Sequence, residues 1–381
     1  MAEPAAAPTS SASGPRDDGS DRAADAVVRP RSRKLRVAQV VRETADAHSF
    51  VFELPAEDGE MFRYRPGQFL TLRIPSERTG SVARCYSIAS SPHDAEPGLT
   101  VTVKRTVGGY GSNWLCDNVR VGSEIEVLAP AGVFTPADLD ADLFLAAGGS
   151  GITPVLSILR SALAVGSGRV AVLYANRDES SVIFAAELRA LSAAHPERLS
   201  VLHWLESVQG VPSAAQLTAL VAPYAGREAF VCGPAPYMDA VSAALKAAGA
   251  DPGRIHLEVY TSMEGDPFAE IVVPGPAAAG EDSDGTVHVL VELDGDTHQL
   301  TWPAGVRLVD LLLSKGIDAP YSCRDGVCGA CQAQVLKGRV RMESNDVLGD
   351  DDLAEGYVLG CQSVPDPEDP GKDVHVRFYR A

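Results

Sequence analysis

Apolar and polar positions alternate in short runs from Lys34 onward, and the rhythm of those runs changes twice along the chain. Segments 35–41, 49–54, 69–74, 99–105 and 124–128 alternate with a period near two between Pro and Gly turns. This pattern predicts an antiparallel β-barrel over 35–136, with no dominant helical period. Beyond it, apolar strands at 143–147, 170–174, 199–204, 229–232 and 254–260 are interleaved with helical patterns at 153–165, 185–194 and 237–248. Such alternation predicts an α/β doubly wound parallel sheet over 137–262. Residues 274–285 are rich in Pro, Ala, Gly and Asp, so 263–285 reads as a linker. Alternation resumes at Val287 with a hairpin around Asp294 and an amphipathic helix at 308–314, outlining an α+β domain of β-grasp type over 286–381. The first 34 residues carry too little apolar surface to offset the entropy of ordering and read as a disordered leader.

A length of 381 residues accommodates this multidomain organisation. With 33 basic against 51 acidic side chains, the net charge of −18 argues against nucleic acid or an anionic membrane as partner and favours basic or mixed protein surfaces. No apolar run is long enough to span a bilayer, and the first residues lack a hydrophobic signal core, so the expected location is cytoplasmic. Seven cysteines, of which Cys85, Cys116 and Cys232 are scattered, do not form a secreted disulfide pattern.

The other four, Cys323, Cys328, Cys331 and Cys361, follow C-x4-C-x2-C with a distant fourth Cys, the ligand spacing of a plant-type [2Fe-2S] cluster. Glycines between them let backbone N–H groups turn toward sulfur. Structural zinc prefers paired C-x2-C knuckles or Cys with His; one such pair is present and no His lies inside the loop. The chain is therefore expected to carry single electrons.

Gly148, Gly149, Ser150, Gly151, Ile152, Thr153 and Pro154 lie between a buried strand and a helix, where free N–H groups can meet a phosphate. Pro154 occupies the place of the third glycine in G-x-G-x-x-G, so this turn alone is a weak signal. A second strand end, Cys232-Gly233-Pro234, joins it in predicting a nucleotide crevice. Within the barrel, Arg84, Tyr86 and Ser87 offer a cation, an aromatic face and a hydroxyl, while Gly109, Tyr110, Gly111 and Ser112 offer amides and a hydroxyl to a pyrophosphate. Singly, these read sooner as a surface strand and a loop opening a helix than as cofactor sites; their order in the chain, before a nucleotide-type domain and an iron-sulfur loop, reverses that preference.

Taken in that order, over about 35–381, the motifs resemble the ferredoxin-NADP reductase superfamily with a ferredoxin domain fused at the C-terminus. Segments 174–178, 201–207 and 266–269 are similar to those of steroid 9α-hydroxylase reductases. The resemblance implies FAD rather than FMN, a [2Fe-2S] cluster, and NADH as hydride donor to the flavin, which releases electrons singly to the cluster and on to a Rieske-type terminal oxygenase. It implies that Arg84 neutralises flavin phosphate and that Tyr86 packs on the isoalloxazine. Ser87 would bond near the reacting edge, with Glu258 and Tyr260 behind the flavin. Val103, Lys104 and 109–112 would hold FAD. Gly148, Gly149, Gly151, Thr153, Cys232, Gly233 and Pro234 would meet the pyridine nucleotide, although Cys232 reads equally as a small buried residue. Asn176 and Asp178 suit ribose hydroxyls and NADH, whereas Arg177 would suit a 2′-phosphate.

A monomer is expected. Residues 286–381 carry 16 acidic and 9 basic side chains, suiting a basic face on the oxygenase. A desaturase or an acyl-CoA epoxidase could be the client instead, and a carrier with two scaffold domains is the non-catalytic alternative. Intact Arg84, Ser112, Gly151 and Gly233 argue against the carrier.

Overall fold

Period-two alternation in the N-terminal region becomes six antiparallel strands in the computed structural model of the protein, which describes residues 26–28, 30, 32–95, 98–263, 265–273, 287–368 and 373–379. Their order is Gly80–Ser87, Phe69–Ser76, Glu124–Leu128, Ser32–Arg42, Ala47–Phe52 and Leu99–Lys104. An isolated antiparallel pair, Ile88 with Val101, joins the two ends and closes the barrel. Leu35, Phe50, Leu70, Leu72, Val101 and Ile125 point inward and form its core. A helix, Tyr110–Asn118, interrupts the expected all-β pattern. Its buried positions include Gly111, Ser112 and Cys116, so it has no broad apolar stripe for periodicity to detect.

The nucleotide-type region contains five parallel strands in the order Leu199–Leu205, Val170–Asn176, Leu143–Gly148, Glu228–Cys232, Ile255–Glu258. Helix Ile152–Val165 covers one face, and helices Ala214–Val221 and Ala235–Ala247 cover the other. The helix expected at 185–194 lies at Ala185–Ala194. Helix Ala214–Val221 is an addition to the expected pattern, although Ser213 and Gln216 form a capping box at its start. The last strand ends at Glu258, leaving Tyr260 beyond the sheet.

Barrel and sheet share a core. Ala47, Ala89 and Phe134 of the barrel belong to the same buried cluster as Leu145, Ile158 and Phe230, and Phe134 meets Phe230 edge-on at 5.3 Å. Around this core, Ser157 donates to the Ser90 carbonyl at 2.6 Å, the Ser91 and Ser161 hydroxyls lie 2.7 Å apart, and Arg160 pairs with Asp94 at 2.8 Å.

The C-terminal sheet has the order Asp296–Trp302, Val287–Leu293, Val374–Phe378, Gln332–Lys337, Tyr357–Leu359, with the second and third strands parallel and the other neighbours antiparallel. Helix Leu308–Ser314 contributes Leu308, Val309, Leu311 and Leu312 to its core, completing the β-grasp arrangement.

Two expectations need correction. Within the supposed leader, Ala26–Val28 pairs antiparallel with Ile271–Val273, and strand Ser32–Arg42 starts ahead of Lys34. Val28 and Ile271 bury apolar surface against the C-terminal core, which outweighs the polar composition around them. Residues 1–25 lie outside the described residues. The supposed linker is likewise packed in its first part: Met263, Phe268 and Ile271 are buried, while 274–285 lie outside the described residues. Among the described residues, no helix is long and apolar enough to cross a membrane.

Candidate functional site

Strand Gly80–Ser87 pairs along its whole length with Phe69–Ser76, which fixes the alternation of its side chains. Arg84 and Tyr86 turn toward the helix that begins at Tyr110. A Cβ built on Gly111 would stand 3.1 Å from Arg84 Cγ and 3.8 Å from Tyr86 Oη, so glycine permits the close approach of strand and helix. Gly109 caps that helix, its carbonyl accepts from Asn113 at 2.6 Å, and Ser112 Oγ accepts from the Thr106 N–H at 3.0 Å. Tyr110 is tied elsewhere, donating to the Pro75 carbonyl at 2.7 Å. Lys104 reaches out of the barrel, with its Nζ 3.8 Å from where a Cβ on Gly149 would stand and 3.9 Å from Asp46. Val103, also expected in the site, does not turn its side chain to this cleft. Alternation turns its side chain into the barrel core, and its carbonyl accepts from the Cys116 thiol at 3.7 Å.

The two glycine turns of the parallel sheet touch each other. A Cβ on Gly151 would lie 2.1 Å from the Cys232 carbonyl oxygen, and one on Gly233 would lie 3.0 Å from Gly148 Cα. Gly149 adopts a left-handed φ of 54°, and Pro234 caps helix Ala235–Ala247 beside Gly148. Thr153 donates to the Ser150 carbonyl at 3.0 Å. That leaves its oxygen free to accept from the Tyr260 hydroxyl at 3.1 Å, and the same hydroxyl is 3.1 Å from Ser87 Oγ. Tyr260 thus links barrel and sheet by its oxygen while 46% of its surface remains exposed. Burial pushes the Tyr260 hydroxyl and the neighbouring Cys232 thiol well above their ordinary values, and raises the Glu258 carboxyl to about 8.

At the end of the second strand, Asn176 is 8% exposed, and its amide, near the Tyr174 hydroxyl, lacks a hydrogen-bond partner at either atom. Asp178 accepts from Ser180 Oγ at 2.7 Å and the Ser181 N–H at 2.9 Å; the Ser180 bond leads in holding its pKa down. It caps a turn rather than standing free. Arg177 pairs with Asp46 of the barrel at 3.4 Å. The unpartnered amide, the glycine contacts and the helix starts fit a dinucleotide, and the Arg84, Tyr86 and Gly111 cradle fits a flavin.

In the C-terminal domain, all four expected ligand cysteines come together. Cys323 lies beside Cys328 and Cys361, whose thiols draw its own down, and Cys361 lies beside Cys331 as well. Backbone N–H groups of Asp325 and Cys361 point at Cys323 Sγ and Cys331 Sγ, both at 3.4 Å. Left-handed φ values at Arg324, Gly326 and Gly329 wrap the loop around the sulfurs. Four converging thiols with N–H donors fit a [2Fe-2S] cluster. Thr71, Ser322 and Asp46 also connect the parts of this site, and no local sequence pattern marks them.

Three family models match in the same order: an oxidoreductase FAD-binding domain at 34–135, an oxidoreductase NAD-binding domain at 145–243, and a 2Fe-2S iron-sulfur cluster binding domain at 291–366. Over 336 residues the chain is 58% identical to the 3-ketosteroid-9-alpha-monooxygenase ferredoxin reductase component of Rhodococcus rhodochrous, covering 88% of this chain and 95% of that protein. The chain belongs to this family of oxygenase reductases. It is also 35% identical over 350 residues to one component of the 1,2-phenylacetyl-CoA epoxidase of Escherichia coli, covering 87% of this chain and 94% of that one. The solved structure of phthalate dioxygenase reductase shares the fold, with a TM-score of 0.54, 24% identity, and coverage of 91% of this chain and 98% of that one. This member of the family is an oxidoreductase whose FAD, NAD and [2Fe-2S] domains move electrons to a terminal oxygenase.

Proposed function

We propose that this reductase takes hydride from NADH and supplies single electrons to a Rieske-type oxygenase that hydroxylates a 3-ketosteroid at C9. The observation that carries the reading is the placement of strand Gly80–Ser87. It presents Ser87 to Tyr260 and the nucleotide turns, while Cys85 contacts the packing around cluster ligand Cys328. Bound flavin supplies the conversion of a two-electron donor into one-electron transfers.

In this reading, Arg84 neutralises phosphate and Tyr86 provides a packing face for the flavin. Ser87 and Thr153 hold the Tyr260 hydroxyl, so the ring can cover the flavin or yield to nicotinamide while its oxygen stays anchored. Glu258, raised to about 8, presents a largely protonated, uncharged side chain near the reacting edge at neutral pH. Asn176 offers its unpartnered amide to a ribose. The four cysteines hold the cluster. The protein is further proposed to act as a monomer in the cytoplasm, in keeping with seven cysteines outside any disulfide.

The test is an anaerobic titration of the purified protein with NADH and NADPH, followed by reconstitution with a Rieske oxygenase and a 3-ketosteroid. Bleaching of flavin and cluster bands at lower NADH than NADPH, and a 9α-hydroxylated product, are expected. Reduction of the reductase without steroid product, but with turnover by an acyl-CoA epoxidase, would move the assignment to the client of the Escherichia coli relative. A cluster that NADH cannot reduce would refute the reductase reading itself.

A further inference from the structure

The contact between the flavin strand and the cluster loop is mostly apolar. Ala83, Leu128, Met263 and Phe268 surround Cys323, and Cys85 and Cys328 pack with Phe69, Ala131 and Ala330. Apolar contacts have no preferred direction, so they allow two surfaces to slide. Set into this seam is one directional pair. The hydroxyls of Thr71 and Ser322 lie 2.7 Å apart although 251 residues separate them in sequence, and the two residues are 0% and 1% exposed. Thr71 Oγ1 is also 3.4 Å from Cys85 Sγ, and Cys85 stands between Arg84 and Tyr86 on the neighbouring strand. On the other side, Ser322 is joined by a peptide bond to Cys323.

Resting on the reductase reading above, we propose that the Thr71 and Ser322 hydroxyl pair is the positioning contact that holds the cluster loop in register on the flavin strand for internal electron transfer. A buried hydroxyl must be paired, so any slip of the loop that separates these two leaves Ser322 unsatisfied and Thr71 with only the weak sulfur contact to Cys85. The pair therefore selects one placement out of those that the apolar surfaces would tolerate. The step it serves moves one electron between two bound groups and neither makes nor breaks a bond, so no further reactant is required.

Three variants of the full-length holoprotein test this. Thr71→Val keeps the shape and removes the hydroxyl; Thr71→Ser keeps the hydroxyl and removes the methyl; Ser322→Ala removes the partner from the other side. Under anaerobic stopped flow with NADH, all three should reduce flavin at the parent rate. Cluster reduction should slow about tenfold in Thr71→Val and Ser322→Ala, the equivalent of about 1.4 kcal/mol lost from the placed state, and stay near the parent rate in Thr71→Ser. Independently of turnover, amide hydrogen exchange across 320–328 should quicken in Thr71→Val and not in Thr71→Ser. Parent-rate cluster reduction in Thr71→Val, or equal slowing in both Thr71 variants, would overturn the proposal, the second outcome by showing that the methyl group matters rather than the hydroxyl. Parent protein that NADH fails to reduce would instead overturn the underlying reductase reading, while the exchange result still decides whether the hydroxyl contact orders the loop.

Discussion

The barrel meets its two neighbours through very different seams. Against the parallel sheet, its residues enter a shared core: Phe134 lies against Phe230 within a buried cluster that also holds Ile158 and Leu145. Toward the cluster loop, the contact among the described residues includes two small apolar groups, the Thr71 and Ser322 pair, and polar links at the rim. Those links run through segment 265–273: its Gly265 N–H donates to the Asp325 carboxylate of the loop at 2.8 Å, and its Asp266 pairs with Arg73 of the barrel at 3.4 Å. A continuous core resists partial opening, because separating it exposes large apolar side chains at once. The thinner seam is expected to be separable. The reductase thus combines a barrel and sheet built around a shared core with a ferredoxin module that meets the barrel through a thinner seam.

The largest expected effect comes from Cys323→Ser, which should abolish delivery of electrons to the oxygenase while NADH still reduces the flavin. Simultaneous loss of both activities would show that the two seams are not independent. Next, Phe134→Ala should cost about 3–5 kcal/mol, the range for emptying a buried aromatic site, and lower the melting of barrel and sheet together. Phe268→Ala, where the ring lies under Arg73 at 5.5 Å, should cost less and act on the ferredoxin seam. Equal losses measured by calorimetry would mean that the two seams are equally strong.

Smaller is the pH effect of Glu258. Its carboxyl binds a proton more tightly folded than unfolded, so the stability it contributes is complete below about pH 4.5 and is lost as pH rises toward about 8. In the cofactor-free protein, Glu258→Gln should remove that slope from urea midpoints compared at pH 5 and pH 8, and an unchanged slope would refute the assignment. Smallest of all, Asp266→Asn should shift stability by no more than about 1 kcal/mol, since the Arg73 pair it breaks is solvent-accessible. A larger shift would mean that the rim, and not the hydroxyl pair, holds the second seam.

Within each domain, much of this was legible in the sequence. The cysteine spacing picked out the four thiols that lie together, and the alternation of strand and helix patterns located Ala185–Ala194, of which Leu188 is buried, and Leu308–Ser314, of which Leu308, Val309, Leu311 and Leu312 are buried. The pair Arg84 and Tyr86 was readable because a strand alternates its faces. Of helix Tyr110–Asn118 the opening after Gly109 was readable and its extent was not, since small residues share the burying with Leu115 there. Val103 illustrates a related point: a motif shared with a family marks a segment, while strand parity decides which of its side chains leave the core. The seams left least trace. Thr71 with Ser322, and Asp46 with Arg177, are pairings between distant segments, and neither segment carries a local pattern that names the other.

Strand Ala26–Val28, lying antiparallel to Ile271–Val273 and resting with it against helix Leu308–Ser314, has a practical consequence for handling the protein. Trimming the chain to Lys34, as composition would invite, removes half of a two-stranded brace beneath the ferredoxin module. An affinity tag fused just ahead of Ala26 would sit beside that brace, so a fault introduced at one end of the polypeptide would surface as a fault in the electron carrier at the other.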